Sequence, residues 1–165
     1  MGLSKESLKE VKSFENREIA IFKCSFTTPV FINSDVYSSI FLPIPDTVEI
    51  NSLNFSNQFS NGIVKETGNY SRYEIIAQVN GNTNDGNRSI PFSRIIHVDE
   101  FSTLKNVSFE HREYTRNTGY DDYSSTIVMV VDDFEINDSI FLEFRVGSAS
   151  DNAFIENVEF IIKEV

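Results

Sequence analysis

The chain has no tryptophan, one cysteine, two histidines, four prolines and seven glycines in 165 residues. Cations are also scarce: 14 Lys and Arg face 25 Asp and Glu, a net charge of −11. Each shortage excludes something. A lone thiol, Cys24, cannot close an intramolecular disulfide, so stability must come from packing or from oligomerisation. With no histidine close to it in sequence, Cys24 reads as a small buried residue in a strand. His97 and His111 lie outside any Gly-x-Ser-x-Gly turn, so a nucleophile, base and acid have no visible seat. His97 closes an apolar run and reads as a strand end, whereas His111 sits among charges and reads as exposed. The acidic balance repels a phosphate backbone and anionic lipid, which argues against nucleic acid as a partner.

Long hydrophobic runs are missing too. None reaches the roughly 18 apolar residues of a membrane span, so no membrane insertion is expected. The opening Met-Gly-Leu-Ser-Lys-Glu has no apolar core of a secretory signal, and Glu6 stands where a myristoylation motif wants Ser or Thr. Synthesis in the cytoplasm follows, and a virion or extracellular surface would be reached by another route, such as release inside a virus particle.

The acidic pairs Asp121-Asp122 and Asp132-Asp133 are adjacent in sequence, so in a strand their members face opposite sides and form no acid/base dyad. The Asn82 to Asn87 stretch lacks calcium-loop spacing, because Gly81 and Thr83 fall where carboxylate or amide ligands belong. Five Asn-x-Ser sequons, at Asn54, Asn69, Asn87, Asn106 and Asn137, follow from the abundance of Asn and Ser. There is no phosphate loop, zinc spacing or dinucleotide fingerprint. No catalytic residue, no metal and no cofactor is expected, and the chain reads as a non-enzyme.

What the chain does have is apolar material: 40% hydrophobic residues, including 15 Phe and 6 Tyr. A domain of this size buries roughly 70% of its unfolded surface. Leu8, Val11 and Phe14 give residues 3–15 helical spacing, and residues 1–17 read as a short N-terminal helical or flexible segment. From residue 18 to 165 the period is two, as in Tyr73-Ile75-Ala77-Val79, in Leu142-Phe144-Val146, and in Phe154-Val158-Phe160-Ile162 after one phase slip. Breaks fall at Pro29, Pro43 and Pro45, at a hairpin tip over Asn80 to Asn87, and at Asn137-Asp138 and Gly147 to Asn152. About ten short antiparallel strands with no helix between them predict an all-β sandwich.

Two segments carry a resemblance. Gly62-Ile63-Val64-Lys65-Glu66-Thr67-Gly68-Asn69-Tyr70, leading into the alternating run Ser71 to Val79, resembles the "x-V-x-x-x-G-x-Y" entry of the tumour necrosis factor and complement globular-head jelly rolls. In those heads the Gly makes a turn and the aromatic two residues later opens a central strand. Ser124 to Val131, the turn at Asn137-Asp138, Ile140 to Phe144 and the closing run Phe154 to Ile162 are similar to the later strands. The Gly common near that family's end is absent. Together the likeness spans roughly residues 36–163. It implies a jelly-roll β-sandwich that forms a homotrimer through aromatic and aliphatic residues on one sheet face. Similar trimeric heads occur on bacteriophage fibres, which hold host-surface saccharides.

A non-enzymatic phage structural or receptor-binding protein is the function this implies, with a host-surface saccharide or another virion subunit as partner. Loop residues Asn82, Asn84, Asp85, Tyr114, Asn117, Tyr120 and Tyr123 are the expected ligand contacts, by stacking and by hydrogen bonds to sugar hydroxyls. The lack of Trp counts against a saccharide. The alternatives are a decoration or anchoring subunit with no small ligand, and a carbohydrate-binding module or β-sandwich glycan hydrolase.

Overall fold

The computed structural model describes residues 19–40, 47–51, 53–58, 62–68, 71–85, 90–113, 119–148 and 151–165. Twelve strands lie among them: β1 (Ile19–Ile32), β2 (Ser38–Ile40), β3 (Thr47–Asn51), β4 (Phe55–Asn57), β5 (Ile63–Lys65), β6 (Ser71–Asp85), β7 (Pro91–Val98), β8 (Leu104–Val107), β9 (His111–Arg112), β10 (Gly119–Phe134), β11 (Ser139–Val146) and β12 (Ala153–Glu164). The count exceeds the ten or so expected because several strands, such as β2, β4 and β9, are only two or three residues long. No helix occurs among the described residues, and the helix expected over 3–15 lies outside them.

Two antiparallel sheets face each other. One has the order β10-β6-β12-β1-β3. The other runs β4-β5-β11-β7-β8, with β2 on β11 and β9 on β7. The chain is thus an all-β jelly-roll sandwich. Between the sheets, Ile75, Ala77 and Val79 of β6, Ile155, Phe160 and Ile162 of β12, and Leu142, Phe144 and Val146 of β11 are all fully buried. Apart from Ile155, these are the period-two residues of the sequence, now on the inner faces. Cys24 is buried among them in β1.

Two irregularities re-aim side chains. The β12 ladder slips its register on β6 between Ile155 and Asn157. Ala153 and Ile155 point inward before the slip, and Val158, Phe160 and Ile162 after it. Phe154, separated from Val158 by this phase slip, therefore faces outward, with its ring 5.1 Å from that of Phe31. In β1 the register breaks between Ser25 and Val30, and this break carries the strand past Pro29, where an end was expected.

Glycine matters at two places. Gly68 has φ +109, a conformation that favours glycine, and turns the chain between β5 and β6 as the resemblance requires. At Gly81 a Cβ would collide with the Phe154 carbonyl and lie 2.7 Å from the Tyr123 hydroxyl, so only glycine lets β12 and β10 close on β6 here.

Candidate functional site

The outer face of the five-stranded sheet carries a single aliphatic row. Strand register aligns Ile21 with Ile161, Ile161 with Ile76, and Ile76 with Val128. Each row beside it is polar at its centre. One holds Lys23, Glu159, Gln78 and Thr126; the other holds Lys163 and Glu74 between Ile19 and Val130. Lys163 and Glu74 pair at 3.7 Å. Val128 and Val130 remain 48% and 46% exposed, while their sequence neighbours Ile127, Met129 and Val131 are buried in the core. Both faces of this sheet are therefore apolar along one line, which a solvated outer face does not require.

At one end of the same sheet, β6 and β10 gather several residues expected to bind. Asn84 pairs in register with Tyr120, and Asp85 with Gly119. The expected hairpin tip at Asn80 is thus corrected: the ladder runs on to Asp85, because backbone pairing satisfies these polar residues as well as any apolar ones. Asn82 donates to Glu156 at 2.6 Å across the outer face. Tyr123 is not in an exposed loop but buried inside the sandwich, opposite Gly81, and its hydroxyl donates to the Phe154 carbonyl at 3.2 Å. Burial, with Glu156 near, pushes that phenol well above the ordinary range. Tyr114 and Asn117 lie outside the described residues.

At the opposite end of β10, sequence reading missed a buried polar cluster. His97 sits near the end of β7, fully buried, with its ring stacked on Phe134 at 4.5 Å. The Asn106 amide donates to Nδ1 at 3.0 Å, so Nε2 carries the proton and donates to Asp138 at 2.8 Å. Asp138 also accepts from the Lys105 ammonium at 2.9 Å and the Glu135 amide at 3.0 Å. Burial raises the Asp138 carboxyl, but these donors outweigh it and hold the acid below its ordinary value. Burial likewise lowers His97. Both ring nitrogens are engaged, which leaves neither to act as a base. The cluster instead pins the β10–β11 turn, where Asn137 N–H donates to the Lys65 carbonyl and Lys65 N–H to the Asp138 carbonyl. His97–Asp138 falls on residues 41 positions apart, and only the strand pairing brings them together.

The Asp132-Asp133 pair separates as expected of strand neighbours, whereas the Asp121 side chain lies outside the described ones. Asp132 pairs outward with Arg72 at 2.8 Å, and Asp133 lies on the Lys105 and Asn106 side. His111 is half-buried and bonded to Glu113 at 2.7 Å, rather than open to solvent. On the second sheet Tyr37 stacks under Arg94, 3.9 Å from its ring centre, and shares Glu110 with Arg145. Burial and the Glu110 carboxylate push the Tyr37 phenol up to about 12.

Beside the pinned turn lies a cavity of about 370 Å³. Val64 and Val98 contribute apolar lining and Phe141 a ring, while Gln58, Asp99, Glu100 and Asn137 supply polar groups.

The fold these elements build is a tumour-necrosis-factor-like jelly roll. No protein-family model and no curated protein matches the chain. Among solved structures it is similar to PRD1 vertex protein P5, with TM-score 0.57, 14% identity, and coverage of 90% of this chain and 96% of that one. Murine APRIL in its pH 5.0 crystal structure is similar at TM-score 0.55 and 10% identity, over 88% of this chain and 99% of that one. Among the described residues no helix is long and apolar enough to cross a membrane.

Proposed function

We propose that the chain is a non-enzymatic, homotrimeric head of a bacteriophage particle, serving as a structural or receptor-binding subunit at the virion surface. The observation that carries this reading is the aliphatic row on the outer face of the five-stranded sheet. A row of Ile and Val spanning four strands and bordered by polar rows suits burial against copies of itself around a threefold axis. The likeness to a phage vertex protein and to trimeric cytokine heads supports the same assembly. The polar end of β6 and β10, where Asn82 lies and where Asn84 and Asp85 pair in register with Tyr120 and Gly119, stands at the far end of β10 from the buried His97 cluster, and we assign to it the contact with a host-surface saccharide or another virion subunit.

The test is retention of the purified, labelled chain on intact host cells and on virus particles grown without it. Retention on either supports the reading. A folded preparation retained on neither overturns it.

A further inference from the structure

We propose that the cavity beside the β10–β11 turn is a binding site for a single uncharged pyranose ring. Its volume of about 370 Å³ lies at the small end of the roughly 300–1,000 Å³ of ligand sites, which fits one ring better than an extended chain. Its walls are fixed before any ligand arrives. Asp99 Oδ1 accepts the Phe101 and Thr103 amides at 2.9 and 2.7 Å, which rigidifies one wall. Asn137 holds φ +69 and is tied through its N–H to Lys65 at 2.8 Å, which rigidifies the other. Gly62, at φ +73, lets the Phe141 ring pack against the backbone, 3.0 Å from where a Cβ would stand.

The chemistry of the lining selects the ligand. Asp99 and Glu100 bring two negative charges, and no Lys or Arg is among the residues that line the cavity. A carboxylate or phosphate ligand would be repelled. Glu100 and Asn137 make no side-chain hydrogen bond among the described residues, so an acceptor and an amide are open to a ligand rich in hydroxyl donors. Phe141 supplies an apolar ring for the C–H face of a sugar. This site stands apart from the trimer interface, on the other sheet, and does not depend on it.

Saturation-transfer NMR on the intact chain tests the proposal. The probes are methyl glucoside, methyl galactoside and N-acetylglucosamine, with N-acetylneuraminic acid and spermidine as charged controls. At least one neutral sugar is expected to show transfer, and N-acetylneuraminic acid none. Glu100→Gln, an exposed near-isostere, and Asn137→Gly, which keeps the left-handed backbone, should each weaken binding about tenfold, while the charge-matched control Asp35→Asn, exposed beside the Val146 end of β11, leaves it unchanged. Absence of transfer from every neutral sugar overturns the proposal, as does transfer indifferent to both cavity substitutions. Spermidine binding that falls with Glu100→Gln while neutral sugars stay silent also overturns it, by assigning the cavity to cations. A trimer that binds no sugar removes this site alone, and a monomer that binds sugar removes the trimer alone.

Discussion

Nε2 of His97 stands 2.8 Å from Oδ2 of Asp138, with the two side chains 0% and 2% exposed. A polar pair sealed this deeply is tolerated because every partner is engaged: Asn106 on the far ring nitrogen, Lys105 and the Glu135 amide on the carboxylate. It joins β7 to the β10–β11 turn and so holds one end of the sandwich together.

Asp138→Ala breaks that junction and leaves His97 and Lys105 without their shared acceptor. The expected loss is about 3–5 kcal/mol, the cost of uncoupling a buried pair. Urea unfolding followed by circular dichroism measures it, and a loss below about 1 kcal/mol would show that the pair does not hold the turn.

Acid should weaken the fold in two steps. Burial lowers the folded-state value of His97 below its ordinary 6.5, so below that pH the unfolded chain binds the proton more readily than the folded one. His97's share of stability is therefore complete above about pH 6.5 and is lost as pH falls through the lowered value. Asp138, whose folded value lies below its ordinary 3.8, adds a second loss at lower pH, as its own depressed value is crossed. Unfolding midpoints recorded across this range should decline from pH 6.5 downward. In His97→Gln the upper step should vanish.

Gly81→Ala places a methyl group against the Phe154 carbonyl and the Tyr123 ring, where the β12 register slips. Both neighbours are held in ladders and cannot retreat cheaply. A destabilisation of about 1–3 kcal/mol is expected, read as a lower thermal midpoint.

Val128→Glu puts a charge at the β10 end of the aliphatic row, at a position 48% exposed in the single chain. The fold should survive with a change within about 0.5 kcal/mol, as for other surface positions. Assembly should not, because each copy would carry an unpaired carboxylate into the apolar contact. A monomeric but fully folded variant is the expected outcome by circular dichroism and sedimentation.

The strands were legible because period-two runs such as Ile75-Ala77-Val79 can bury one face only as strands, and the phase slip in β12 was visible as a break in that alternation. The extent of β6 was not. Asn80 to Asp85 has the composition of a turn, yet pairing with β10 overrides composition once the partner backbone is present. Tyr123 was misplaced for a related reason: the face it takes depends on the phase of β10 and on the Gly81 that pairs opposite it. The His97 cluster and the cavity were invisible because their members come from separate strands and turns, and no local spacing links them. The aliphatic row hid in plain sequence for the opposite reason. Ile76, Val128 and Ile161 each lie beside a core residue, so the strand reads as apolar without saying that both faces are.

The trimer is tested most directly by light scattering on the purified chain as it leaves a sizing column. A homotrimer predicts a mass three times that of the 18.8 kDa chain, stable on dilution through the micromolar range. A single species at the mass of one chain would contradict it.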